Sequence, residues 1–279
     1  MNIISDLNTF KSAFKLKVNK DSHEDLAIFL QENNTHIISR EYVDIIEKEV
    51  ENTDLWETIL KELMDEGRLK SLKSTSNNAN EICVEMYNTF KQSPCVLLTK
   101  DNKSIDSMGY NNIDLKKEEN KVIKKVLKDS TCIVTVHDFD NDEKIKDFFK
   151  KIFSLQTLNT DIFIFNREFD LRFLNHFKDA KVHYYTLLKN KHYDQSDLKS
   201  DSKNKRTYEI IGGRMRCYYT FNRKIIHERK VIIGNLIISP DNAFINLNIN
   251  DPTWQITISN NPRISSKWKE KCNSFLRLN

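Results

Sequence analysis

The residues best suited to chemistry sit near the C-terminus, in Ile226-His227-Glu228-Arg229-Lys230-Val231-Ile232-Ile233-Gly234. A histidine two places before an arginine joins a nitrogen nucleophile to a planar cation that can grip phosphate oxygens in pairs. Residues i and i+2 of a strand project from one face, so an extended reading sets His227 beside Arg229. Asn246 follows 19 positions after the histidine and offers a neutral donor to a further oxygen. Such a set could attack a phosphodiester or hold one. Lys230 adds a further phosphate-binding cation. Arg214, Arg216, Arg223 and Lys224 make up the rest of the densest basic cluster. Those four read either as a charged, solvated sheet edge or as a groove for a nucleic-acid backbone.

Other chemistries find less support. Asp138-Phe139-Asp140 follows a strand-like run, but a metal-binding pair needs another acid from a second strand. A strand-end turn leading into a helix N-terminus, where the dipole favours acids, accounts for it as well. No metal and no cofactor are expected. The five cysteines are odd in number, scattered and never spaced as CxxC, which fits a reducing compartment. The opening MNIISDLNTFKSAFK lacks the apolar core of a signal peptide, and no run approaches the roughly 18 apolar residues of a membrane span. A cytoplasmic protein with no transmembrane segment is expected.

Charge divides the chain. The net +4 is made of −7 over residues 1–90 and +11 over residues 91–279, counting Lys and Arg against Asp and Glu. A nucleic acid or other phosphodiester should meet the second part.

The elements that must position these residues fall in two groups. Residues 24–32, 40–50 and 54–65 are amphipathic; Leu55, Trp56, Ile59, Leu60 and Leu63 share one helical face. Ser39 and Thr53 are N-cap types and Gly67 a C-terminal stop. Leu69 and Leu72, then Ile82, Val84 and Met86, flank the turn-rich stretch 75–80 and predict strand, turn, strand. Three helices and a hairpin resemble a winged-helix domain over residues 22–88. The resemblance implies DNA binding through the third helix. That helix carries Asp54, Glu57, Glu62, Asp65 and Glu66 against Lys61, and acids repel a phosphate backbone. A protein partner is the better expectation for this acidic domain.

Residues 92–121 read as a connecting segment. Beyond them strands are predicted at 132–137, 161–165 and 181–185, alternating with helices at 142–155 and 171–177, which implies a largely parallel sheet. A polar loop at 194–206 precedes strands at 208–211, 215–220, 224–233, 236–239 and 254–259 and a helix at 266–278.

This α/β run, together with its basic hairpin, resembles the phospholipase D-like fold. That family's motif is His, any residue, Lys, four residues, Asp, with an Asn further on. Here His227 matches the histidine, Arg229 replaces the lysine, Gly234 stands where the acid belongs, and Asn246 falls one position late. The resemblance implies His227 as catalytic nucleophile forming a phospho-enzyme, with Arg229 and Asn246 on the phosphate oxygens. Loss of the acid removes what fixes the imidazole tautomer, although a carbonyl or Asp241 could substitute. The family needs two facing motifs and this chain has one, so an active enzyme requires a homodimer.

The chain is thus expected to be α/β. Residues 1–90 form a mainly helical, winged-helix-like domain, 91–129 connect, and 130–279 form a phospholipase D-like mixed sheet with covering helices. Three functions stay open. One is a phosphodiester- or nucleic-acid-directed protein whose degenerate site binds without cleaving. Another is a metal-independent phosphodiesterase or nuclease, active as a homodimer through His227. The last is a non-enzymatic adaptor subunit, for example in phage defence, using the acidic domain.

Overall fold

The computed structural model describes residues 1–90, 95–108, 110, 112–154, 161–168, 181–188, 209, 212–241, 248–250 and 253–278. Two compact units divide the chain, Met1–Ser130 and Thr131–Asn279. Each has its own sheet.

The first unit is built on five short strands: β1 (Asn2–Ser5), β2 (Thr35–Ile37), β3 (Leu69–Lys70), β4 (Cys95–Thr99) and β5 (Asn112–Asp114). All pair in parallel, in the order β3-β2-β1-β4-β5. Helices α1 (Leu7–Ala13), α2 (Lys20–Leu30), α3 (Arg40–Glu49), α4 (Thr53–Asp65), α5 (Ala79–Phe90), α6 (Lys103–Ser107) and α7 (Lys121–Lys128) connect and follow them. Parallel neighbours need crossovers, and the helices supply them. β4 is buried at every position, as the strand of a sheet covered on both faces should be.

The expected helices are present. Ser39 caps α3, accepting from Tyr42 N at 3.1 Å, and Gly67 takes a positive φ of 66° just past α4, as a C-terminal stop does. Asn52, rather than Thr53, caps α4, accepting from Leu55 N at 3.1 Å. The acids of α4 are exposed while Trp56, Ile59 and Leu63 are buried.

The hairpin expected over residues 69–86 is not formed. Residues 69–70 pair in parallel with β2, and the stretch expected as the second strand of the hairpin is α5. Its buried residues Ile82, Cys83 and Met86 stand at i, i+1 and i+4, a helical stripe that alternate reading of Ile82, Val84 and Met86 mistakes for a strand. The segment expected to connect holds a strand as well: residues 95–98 pair with β1 along the whole length of β1. Strands of two to five residues show too little of a period to be read from sequence.

The second unit carries eight strands: β6 (Thr131–Thr135), β7 (Asp161–Asn166), β8 (Lys181–Leu187), β9 (Met215–Thr220), β10 (Lys230–Ile233), β11 (Leu236–Pro240), β12 (Gln255–Asn260) and β13 (Leu276–Arg277). Helix α8 (Asp142–Ser154) follows β6, and α9 (Pro262–Glu270) follows β12. The order is β13-β9-β8-β7-β10-β11-β12-β6. Strands β7, β8 and β9 run parallel, and every other pairing is antiparallel. The sheet is therefore mixed, not largely parallel. The expected helix at 266–278 is also shorter: α9 ends at Glu270, a 3₁₀ turn follows, and residues 276–277 pair as β13 with β9. The expected helix at 171–177, loop at 194–206 and strand at 208–211 fall outside the described residues, apart from Glu209.

One face of this sheet packs under α9. Phe165, Tyr185, Ile226, Ile232 and Ile237 meet Trp268 and Phe275 there. Tyr185 stacks on Tyr218 across the strands, centroids 4.7 Å apart, a cross-strand aromatic pair.

Candidate functional site at the carboxyl edge of strands β7 and β8

Strand β10 begins at Lys230, so His227 and Arg229 precede it. The expected strand at 224–233 is thus reduced to its last four residues. Residues 223–225 form a turn, and Ile226, fully buried in the core, pins the segment that carries His227. His227 is exposed. Among the described residues none hydrogen-bonds to its ring. Asp241, the acid that could have oriented it, accepts from Gln255 N at 3.0 Å instead.

Gly234 stands at the position where the sequence resemblance placed an acid. It is the first residue of the two-residue turn between β10 and β11, with φ at 59°, a conformation that any L side chain resists. Its carbonyl accepts from Ser265 Oγ at 2.6 Å and Lys269 Nζ at 3.2 Å. The residue is a structural corner.

Register places Arg229. Lys230 pairs with Phe165 of β7, so Arg229 comes level with Asn166, the last residue of that strand, which pairs in turn with Thr186 of β8. Alternation sends neighbours to opposite faces. Lys230 accordingly turns to the α9 face, where its Nζ reaches Ser239 Oγ at 3.0 Å and Glu228 at 2.6 Å and lies 5.1 Å from the Trp268 ring centre. This bond to Lys230 holds the Glu228 carboxyl below its ordinary range. The expected phosphate role for Lys230 is not supported by this engagement.

Arg229 is left with little. Its side chain is 18% exposed, and among the described residues its ionic partner is Glu168, 3.6 Å away and 63% exposed. Among the described residues the buried Nε has no hydrogen-bond partner, and neither does the buried hydroxyl of Thr186. Beside them Asn166 Nδ2 donates to Tyr184 Oη at 3.0 Å, and Tyr184 Oη donates to the Glu168 carbonyl at 2.7 Å. Two unused donors therefore share one edge, and buried donors are expensive to leave unused. The edge is the carboxyl end of parallel strands, where open α/β sheets bind ligands.

The basic cluster is split. Arg223 and Lys224 lie in the exposed turn just beyond the carboxyl end of β9, at the same edge as Arg229. Arg216 pairs with His183, which pairs with Phe163, and it stands towards the amino end of β9 with Arg214 before it. Four residues of strand, about 13 Å, separate the two halves. Asn246 lies outside the described residues.

Asp138 is a local cap, accepting from Thr135 N at 2.8 Å. Among the described residues no group of three His, Cys, Asp or Glu is placed to hold a metal, and no helix is long and apolar enough to cross a membrane. Asn166, Glu168 and Thr186 were missed by sequence reasoning. Their signal was positional: each ends, or closely follows, an apolar strand.

No family model matches this chain, and no curated protein does. Among solved structures it is similar to TrmBL2, described as an archaeal chromatin protein with a novel mode of DNA binding. That likeness has 9% identity and a TM-score of 0.34, covering 85% of this chain and 71% of that one. It is similar also to Nuc from Salmonella typhimurium, a phospholipase D family member, at 11% identity and a TM-score of 0.37, covering 53% of this chain and 97% of that one. Likenesses this loose leave the residues' roles to the geometry above.

Proposed function

We propose that the Thr131–Asn279 unit binds a phosphodiester, with nucleic acid as the ligand class, and does not cleave it. The observation that carries this reading is the pair of unused buried donors, Arg229 Nε and Thr186 Oγ1, at the carboxyl edge of β7 and β8. A phosphate oxygen would satisfy both, and Arg223 and Lys224 would flank the continuing backbone. Among the described residues no acid sets the His227 tautomer, and the sequence holds no second motif to protonate a leaving group.

The test uses fluorescence anisotropy with labelled DNA and RNA oligonucleotides at several salt concentrations, beside hydrolysis of bis(p-nitrophenyl) phosphate. The expected outcome is salt-sensitive binding, weakened by Arg229→Gln or Thr186→Val and unchanged by His227→Ala. Hydrolysis that disappears with His227→Ala would replace binding by catalysis. Binding indifferent to Arg229→Gln and Thr186→Val would end the assignment to this edge.

A further inference from the structure

The Met1–Ser130 unit holds a second crevice, independent of the Arg229 edge. Its strand order runs outward from β1 to β3 and then resumes on the other side of β1 with β4. Open parallel sheets receive ligands outside the carboxyl ends of their strands at this kind of switch point. The two chain segments leaving β1 and β4 are laced together there. The buried carboxylate of Asp6 accepts from Thr9 N at 2.8 Å, Lys100 N at 3.3 Å and Asn102 Nδ2 at 2.9 Å. Asn8 Nδ2 donates to the Lys100 carbonyl at 3.0 Å.

Beside this lacing is a crevice of about 470 Å³, within the usual range for small-molecule sites, about 300–1,000 Å³. One wall is α1, which contributes Lys11 and Ser12, with Lys15 following a turn later. Lys100 also lines it: its Nζ donates to Ser12 Oγ at 2.6 Å and pairs with the buried Asp25. Asp25 is shared with Lys124, 3.0 Å away, which also meets Glu24 at 3.2 Å. Lys15 has no ionic partner among the described residues. Lys11 meets Glu49 at 2.9 Å, and Lys116 meets Asp101 at 3.1 Å, both in pairs about half exposed. Exposed pairs of this kind are weak and exchange readily for a phosphate.

Asp101 adds an independent mark. It is a non-glycine residue with a positive φ of 55°, fixed by its N–H to Asp114 Oδ1 at 3.3 Å and its carboxylate to Lys116. Such conformations persist where surrounding structure over-determines them, and they gather at ligand sites. The crevice also carries carboxylates, Asp21, Glu49 and Glu51. Beside a phosphate cradle, acids suit the hydroxyls of a sugar, as in dinucleotide sites. Four lysines would hold an inorganic anion without them.

We propose that this crevice binds a small phosphorylated polyol of the sugar-phosphate or mononucleotide class. Its phosphate sits against Lys11 and Lys15, and its hydroxyls against Glu49 and Asp21. The experiment is calorimetric titration of the full chain with ribose 5-phosphate, adenosine 5′-monophosphate, unphosphorylated ribose, inorganic phosphate and sulfate.

Ribose 5-phosphate and the mononucleotide should bind more tightly than phosphate or sulfate, and ribose should be silent. Lys11→Ala with Lys15→Ala should weaken sugar-phosphate binding about a hundredfold, about tenfold for each charge-assisted contact. Both positions are on the surface, so the fold should survive, and a circular dichroism melt confirms it. Glu49→Gln should weaken ribose 5-phosphate and spare inorganic phosphate. Arg229→Gln should change nothing here. The proposal is overturned if no phosphorylated probe binds, if the double variant binds like the wild type, if sulfate matches ribose 5-phosphate, or if Arg229→Gln alone abolishes binding.

Discussion

Replacing Arg229 by methionine should move stability and affinity in opposite directions. The guanidinium is largely withdrawn from water, its Nε has no partner among the described residues, and its carboxylate neighbour lies 3.6 Å away and mostly in solvent. An unused buried donor costs about 1–3 kcal/mol, while an exposed pair of this kind returns less than about 1 kcal/mol. Methionine keeps the aliphatic stem and its packing. The free chain should therefore be unchanged or stabilised by about 1–2 kcal/mol. The bound state should lose its charge-assisted contacts, about 1.5–3 kcal/mol, or roughly 10- to 100-fold in Kd. The salt slope of binding should fall by about one counterion. Urea denaturation and anisotropy on the same preparations measure both quantities. A variant destabilised by more than about 2 kcal/mol with unaltered affinity would make Arg229 a structural strut and refute the argument.

Three further outcomes follow from the geometry. Gly234→Ala should destabilise the second unit by about 1–2 kcal/mol, because a side chain is forced into positive φ, and Gly234→Asp should restore no hydrolysis; denaturation and bis(p-nitrophenyl) phosphate turnover check these. His36 is fully buried against Phe29, and burial, then the nearby Arg68, lowers its pKa to about 3. Its neutral form is the folded one, so its contribution is intact above the ordinary value of 6.5, is lost as pH falls from there, and is exhausted near 3. Acid melts should accordingly flatten in His36→Phe, and equal slopes in both proteins would count against this. Asp25→Asn should cost about 3–5 kcal/mol by leaving the buried Lys100 ammonium without its carboxylate, while Lys124 keeps Glu24, and Asp25→Leu with Lys100→Met should recover part of it; urea midpoints decide.

What could be read from the sequence depended on element length and on where the constraint lay. Helix α4 was legible because Trp56, Ile59 and Leu63 repeat over about two turns and Gly67 marks the stop. The runs Ile133–Thr135, Ile162–Phe165 and Leu236–Ile238 were legible as strands by their apolar density. The parallel sheet of the first unit was not, because β2 and β3 are three and two residues long and α5 offers an alternating reading beside its helical one. The basic hairpin pointed to the correct neighbourhood for Arg229, but not to its partners. Asn166 and Thr186 reach that edge only through the pairing of β7 with β8, a long-range contact no local pattern encodes. For the same reason Lys230 looked like Arg229's ally: the residue at which a strand begins decides which face each takes.

The strand order also dictates a timetable for synthesis. Asn2 of β1, at the middle of its sheet, pairs with Cys95 of β4, and Thr131 of β6 pairs with Ser259 of β12. A ribosome releases the chain from its N-terminus, so each sheet has an early strand waiting for a partner from the far end of its own unit. Until that partner emerges, Ile3 and Ile4 in one unit and Cys132 and Val134 in the other lack their final cover. Contacts so distant in sequence are slow to form. A nascent chain stalled before residue 95, or before residue 255, should thus be the form of this protein that most needs a chaperone.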